Sequence, residues 1–171
     1  MAISTLEQLN ALDRGSFAAL LGAIYEHSPW VAEGVWAARP FGSMEALHAA
    51  MQAAVLAAPR EIQLTLIRAH PELRGRIADP AELTEASRRE QAGAGLNRCT
   101  AEEHARLQAV NRAYREKFGF PFVIAVRGLD AAQILARMDA RLANAPEEEF
   151  LTCLDEIGRI ARFRLEAFFG A

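Results

Sequence analysis

The sequence predicts an all-α protein, a single-domain compact helical bundle, and three observations lead there. Apolar residues make up 51% of the 171 positions while aromatic residues make up only 8%, and alanine is abundant, a composition suited to helices packed closely through small side chains. Apolar positions recur at three- and four-residue spacing along most of the chain. Proline, glycine and N-cap residues separate those stretches, with no internal repeat, low-complexity linker or shift in composition. The domain is therefore expected to run over 1–171, a length that allows a sizeable core.

The elements follow in order. Ser16 is expected to cap a helix whose Phe17, Leu20, Leu21 and Ile24 form one stripe, ending near His27. Ser28-Pro29 reads as an N-cap with proline in the first turn of a helix carrying Trp30, Val31 and Val35. Arg39-Pro40-Phe41-Gly42 interrupts the chain before Ser43 caps a helix with Leu47, Met51 and Val55, which Pro59 ends. Ile62, Leu66 and His70, four apart, predict the next helix, and Pro71 pushes His70 out of the α region, leaving it at a helix end. A loop is expected from Glu72 to Leu83.

Thr84 then caps a helix bearing Ser87, Glu90 and Gln91 until the glycines at 93 and 95. Thr100 and Glu103 have capping-box spacing and open a long helix with Leu107, Val110, Tyr114 and Phe118, stopped by Gly119. The apolar run 120–126 is read as a buried extended or helical segment, since an isolated strand containing Pro121 has nothing to pair with. Asp130 starts a helix with Ile134, Leu135, Met138 and Leu142; Asn144 and Pro146 separate it from a last helix carrying Phe150, Leu154, Ile157, Ala161 and Phe168. Arg164 falls in phase with that apolar stripe.

Composition excludes several function classes. With 19 basic and 22 acidic residues and a net charge of -3, no cationic field gathers nucleic acid or anionic lipid. No run approaches the roughly 20 apolar residues of a membrane span, and Met1-Ala-Ile-Ser-Thr5 lacks a basic region followed by a hydrophobic one, so a cytoplasmic protein is expected. Cys99 and Cys153 have no ligand spacing and fit a reducing compartment. His27, His48, His70 and His104 form no HExxH pair or mixed His/Cys set, so no metal site is expected. Neither a Walker sequence nor a GxGxxG fingerprint follows a strand, and Lys117 is the only lysine on which Schiff-base chemistry could rest.

Acid, base and hydrogen-bonding groups remain. On a helix Ser87, Glu90 and Gln91 share a face and present a hydroxyl, a carboxylate and an amide, a set able to grip a polar heterocycle. The same S-x-x-E spacing is also a capping box, which signals only a helix start. An imidazole ordinarily changes charge near neutrality, which suits His70 to proton transfer, while a histidine at a helix end is equally a dipole or hydrogen-bonding partner. Arg164 cannot shed its charge, so on an inner stripe it needs a carboxylate from the protein, with Glu90 as one possibility, or from a ligand.

Taken together, the motifs resemble the 2-oxo-4-hydroxy-4-carboxy-5-ureidoimidazoline (OHCU) decarboxylase family, which completes urate breakdown to (S)-allantoin. The matching stretches are Glu26-His-Ser-Pro-Trp-Val-Ala-Glu33, Arg39-Pro-Phe41, Ala69-His-Pro-Glu-Leu73, Ser87-x-x-Glu90-Gln91 with Ala94-Gly-Leu96, Asn111-x-x-Tyr114-x-x-Lys117-Phe-Gly-Phe-Pro-Phe122 and Ile160-x-x-x-Arg164-Leu165. The resemblance implies an all-helical, commonly homodimeric enzyme acting on a small molecule with neither metal nor organic cofactor. It makes His70 the proton-transfer residue, with Glu90 beside it in catalysis and Pro71 lining the pocket. Ser87, Glu90 and Gln91 would contact ring and ureido group, the backbone of Phe122, Val123, Ile124, Ala125 and Val126 would add hydrogen bonds, and Arg164 would meet an acidic or carbonyl oxygen. Two other readings stay open at this point: a cofactor-free enzyme for another ureido or imidazolone compound, and a helical interaction module in which His70 and Arg164 are structural.

Overall fold

A computed structural model describes residues 5–73 and 83–170. The expected loop over Glu72–Leu83 falls mostly outside the described residues. Among the described residues every regular element is helical. The α-helices are α1 (Leu6–Asn10), α2 (Arg14–Leu21), α3 (Trp30–Val35), α4 (Met44–Ala57), α5 (Arg60–Ala69), α6 (Glu85–Gly93), α7 (Ala101–Phe118), α8 (Ala131–Arg141) and α9 (Pro146–Phe169), with short 3-10 turns at Trp36–Ala38 and Leu96–Arg98. No helix among them is long and apolar enough to cross a membrane.

The chain forms two compact units. One takes residues up to Ala69 together with Ile157 onward, and the other runs from His70 to Glu156. Helix α9 contributes its first half to the second unit and the rest to the first.

In the first unit the caps account for most of the helix starts. Asp13, rather than Ser16, caps α2: its carboxylate accepts the Ser16 amide at 3.0 Å and the Ser16 hydroxyl at 2.7 Å. Those bonds hold the Asp13 carboxyl below its ordinary value, the hydroxyl contributing most. Ser16 therefore lies inside the first turn, and the helix ends at Leu21, six residues ahead of His27, whose φ of 45° belongs to the bend that follows. The short α1 was not signalled by apolar spacing; it starts from a capping box between Thr5 and Gln8. Pro29 is the N-cap of α3, one residue later than expected, and no side chain caps it. Ser43 does cap α4, accepting Ala46 N–H at 3.0 Å, and Leu47, Met51 and Val55 are fully buried.

Helix α5 turns a different face inward than its fourfold spacing suggested. Ile62 is 42% exposed, while Gln63, Leu66, Ile67 and then His70 are buried, a stripe at i, i+3, i+4 and i+7. Gln63 is tolerated inside because its amide donates to the last carbonyls of α4, Val55 O at 3.0 Å and Leu56 O at 3.1 Å.

The Arg39-Pro-Phe41 motif is a structural clamp with a cis Arg39–Pro40 bond. Arg39 Nη1 donates to Asn10 O and Leu12 O, both at 2.6 Å, and its guanidinium stacks 4.2 Å from the Trp36 ring. Phe41 exchanges two 2.9 Å hydrogen bonds with the Asn10 side chain. At the other edge of this unit α4 meets the second half of α9, where His48 Nε2 lies 2.7 Å from Gly158 O.

The second unit is built on α7 and the first half of α9. Thr100 and Glu103 form the expected capping box of α7, and Gly119 closes it in the left-handed region at φ 76°. Asp130 caps α8 in a third capping box, with Gln133. Tyr114 anchors an aromatic cluster, its ring 4.6 Å from Phe118 and 5.3 Å edge-on to Phe122.

A cramped turn tests the packing of the first unit. A Cβ on Gly22 would stand 2.7 Å from the Ala18 carbonyl oxygen and 3.2 Å from Pro29 Cβ. Gly22→Ala is expected to destabilise by about 1–3 kcal/mol, lowering Tm by several degrees in calorimetry; a Tm equal to or above that of the unsubstituted protein would contradict this packing.

Candidate active site

His70 is the first residue past α5 and is buried at 6% exposure, with Pro71 half-buried beside it. The chain leaves α5 there because a residue before proline avoids the α region. Two amide side chains hold the turn that follows. Gln91 Nε2 donates to Glu72 O at 3.4 Å, and Asn111 Nδ2 donates to Leu73 O at 2.9 Å. Glu72 also pairs with Arg115. Thus α6 and α7 fix the main chain immediately after His70.

Helix α6 presents its polar set as the spacing predicted. Ser87 and Gln91 are buried one turn apart, Glu90 is half-buried, and Arg88 and Arg89 are exposed. The competing capping reading of S-x-x-E does not hold, because Thr84 is the N-cap and accepts Ser87 N–H at 3.2 Å. Ser87 stands at the third helical position, so its burial has a cause other than helix initiation.

The segment 121–126 is neither helix nor strand. Phe122, Val123, Ile124 and Val126 are buried and Ala125 is half-buried. Two polar side chains tether it. Arg141 Nη1 donates to Val123 O at 2.8 Å, and the Ala125 amide donates to Glu156 Oε2 at 2.8 Å. Arg141 in turn binds Glu149 Oε1 through Nε at 2.8 Å and Nη2 at 2.5 Å. The Glu149 carboxylate, fully buried, also receives the Tyr114 hydroxyl and, at 2.8 Å, the Asn144 amide. For Arg141, burial works against the charge, but the hydrogen bonds to Glu149 and the neighbouring acidic groups outweigh it and hold the guanidinium above its ordinary value. Burial, reinforced by Cys153 and Glu149, pushes the Tyr114 hydroxyl far above the usual tyrosine range, and burial pushes the Cys153 thiol up to about 11.

Arg164, 8% exposed, lies in the first unit. A carboxylate it requires comes from Glu26, 2.8 Å away and 2% exposed, and Nη1 also lies 3.4 Å from the carbonyls of Ala23 and Ile24. The sequence offered Glu90 for that role; Glu26 went unnoticed because it follows Tyr25 in an irregular turn where no periodicity marks an inward position. Arg141, Glu149, Glu156 and Asn111 were missed as well. Glu149 closes the acidic run Glu147-Glu148-Glu149, which by itself reads as a charge complement to a helix N-terminus. Among the described residues no group of three or more His, Cys, Asp or Glu is gathered as metal ligands.

Two outcomes follow from these pairs. Removing one partner of a desolvated ion pair leaves the other charge buried, so Glu26→Ala is expected to cost about 3–5 kcal/mol in urea unfolding, with most of it recovered in Glu26→Leu/Arg164→Met; a loss below about 1 kcal/mol would refute the pairing. Cys153, held as a thiol, is expected to resist iodoacetamide in the native protein at pH 8 while half-buried Cys99 reacts, and both should react after unfolding. Native labelling at Cys153 as fast as at Cys99 would contradict its environment.

Comparison with known proteins shows the family of the chain. The family described as OHCU decarboxylase matches residues 10–166. The chain is 46% identical to the 2-oxo-4-hydroxy-4-carboxy-5-ureidoimidazoline decarboxylase of Haloferax volcanii, over 98% of this chain and 97% of that protein. It is 41% identical to the protein of the same name from Halalkalicoccus jeotgali, over 95% and 90%. Among solved structures, that of an (S)-allantoin synthase superposes with a TM-score of 0.78 at 31% identity, covering 96% of this chain, which spans about half, 54%, of the other. With a family match over nearly its whole length and relatives above 40% identity across nearly theirs, the chain belongs to the OHCU decarboxylase family.

Proposed function

We propose that the protein is a carboxy-lyase that converts OHCU to (S)-allantoin and carbon dioxide, the last step of urate degradation to allantoin. The observation that carries this reading is the near full-length likeness to decarboxylases named for that substrate. The (S)-allantoin synthase likeness points to the same product. In this reading residues 1–171 work as one catalytic domain, in the cytoplasm and as a homodimer, on a small substrate and with neither metal nor organic cofactor.

The chemistry permits a cofactor-free route because the substrate carries its own electron sink. When the bond between the ring carbon and its carboxylate breaks, carbon dioxide departs and the electron pair forms a double bond to the neighbouring ring carbon. That displaces the electrons of the adjacent C=N onto nitrogen, which takes up a proton. The resulting enol then loses its hydroxyl proton as the ring carbonyl forms, and the neighbouring carbon gains a proton on one face, fixing the S configuration. The sum is one proton consumed and one carbon dioxide released.

His70 is the group we assign to the hydroxyl and carbon protons, with Glu90 orienting it. What supports the assignment is a buried imidazole whose following turn is fixed by Gln91 and Asn111. Ser87, Glu90 and Gln91 hold the ring and ureido group, the main chain of Phe122 to Val126 supplies further hydrogen bonds, and Pro71 lines the same pocket. Arg164 meets a ring or ureido oxygen: a tight grip on the departing carboxylate would stabilise the ground state and slow the reaction. General acid/base help is worth about 10²- to 10⁴-fold, and fixed orientation adds to it.

The experiment is to generate OHCU freshly from urate and follow circular dichroism for optically active allantoin. The protein should accelerate the signal and give the S enantiomer, and His70→Ala should lower the rate by at least about 10²-fold while keeping its helical spectrum. A wild-type trace no different from buffer would overturn the activity, and full activity in His70→Ala would remove His70 from it.

A further inference from the structure

The segment assigned to ligand contact has no regular secondary structure to hold it, yet its main chain must be placed to within a fraction of an ångström if its amides and carbonyls are to bind anything. What holds it is the charged assembly of α7, α8 and α9. Arg141 is central because its planar fork acts in three directions. Nε and Nη2 close on Glu149 Oε1, Nη1 reaches Val123 O at 2.8 Å, and the guanidinium lies 4.2 Å from the Phe122 ring centre. Glu149 is itself immobilised by Tyr114 and Asn144. Two residues past Val123, the Ala125 amide donates to Glu156.

A buried ion pair is poor evidence of a stabilising purpose, because desolvation cancels much of its attraction and apolar replacements are often neutral. The arm to Val123 adds something an apolar core cannot, a fixed position for a carbonyl and for the peptide planes on either side. We propose that Arg141, oriented by Glu149, is a positioning residue for the reaction: by holding the Val123 carbonyl it sets the 122–126 main chain in its ligand-binding conformation. This rests on the reading of 122–126 as a ligand-contacting segment. Arg141 touches no reacting atom and acts through the backbone it holds.

Lysine keeps the charge but cannot span Glu149 and Val123 O together, so Arg141→Lys separates positioning from charge. Two readouts are taken on wild type and variant: amide exchange of peptides spanning 120–127, and steady-state kinetics on fresh OHCU. The expected result is faster exchange at 122–126 with α4 unchanged, and KM raised about tenfold, the scale of one lost hydrogen bond to a charged group, with a smaller change in kcat. Should Arg141→Lys fail to fold, Tyr114→Phe, which removes one donor from Glu149 and no charge, is expected to shift both readouts in the same direction by less. A variant that loses thermal stability but keeps wild-type exchange at 122–126 and wild-type KM makes Arg141 merely structural and overturns the proposal. If wild type does not turn over OHCU, the activity reading fails on its own, and exchange still decides whether Arg141 holds the segment.

Discussion

A carboxylate taken out of water must be surrounded by donors, and that requirement organises both units of this protein. In the first unit Glu26 is met by Arg164, and in the second Glu149 is met by Arg141, Tyr114 and Asn144. The first joins the turn before α3 to the end of the chain, and the second joins the end of α8 to the start of α9 and reaches back to Tyr114 on α7. Arginine suits the task because its charge is permanent and its five donors are fixed in a plane, so one side chain can serve a carboxylate and still reach carbonyl oxygens. Both Arg164 and Arg141 do this, the first toward Ala23 and Ile24 and the second toward Val123. In a chain with a single lysine, these guanidinium contacts give precision where secondary structure gives none.

The proposed site draws on that precision in two places. The turn after His70 is irregular, and amide side chains from α6 and α7 hold its carbonyls. The segment from Phe122 to Val126 is irregular too, and its main chain is held from α8 and α9. Regular helices thus serve mainly as supports, and apart from Arg164 on α9 the groups assigned to ligand contact sit on the chain between them or on the short α6. Main-chain groups in such stretches are not consumed by helical bonds, which suits them to meeting the amides and carbonyls of a ureido compound.

How much of this could be read beforehand follows from the range of each interaction. Thr84, the Thr100–Glu103 box, Asp130 and the Gly119 stop were all legible because a cap is decided within four residues. The shared face of Ser87 and Gln91 was legible for the same reason. The inward face of α5 was misjudged because 62, 66 and 70 and the true stripe of 63, 66, 67 and 70 share two members, and only packing against neighbours chooses between them. Asp13 displaced Ser16 as a cap because both are good cap residues three apart. Arg164 was recognisable as an inner arginine, but its partner was not, since Glu26 is 138 positions away and carries no local sign of burial. Glu149 was hidden by its own neighbours: two exposed glutamates precede it, and no periodic feature sets the third apart.

The tethers also decide where the chain tolerates a change of length. Glu149, which orients Arg141, and Glu156, which takes the Ala125 amide, lie seven residues apart on α9, two turns and about 10 Å along one face. One residue added or removed between them would turn one carboxylate about 100° from the other and release either the Val123 or the Ala125 attachment. The turn around Gly128, between the held segment and α8, carries no such constraint on register. Insertions in this family should therefore gather at turns of that kind, while the stretch of α9 from Glu149 to Glu156 keeps its length however much its outward-facing residues drift.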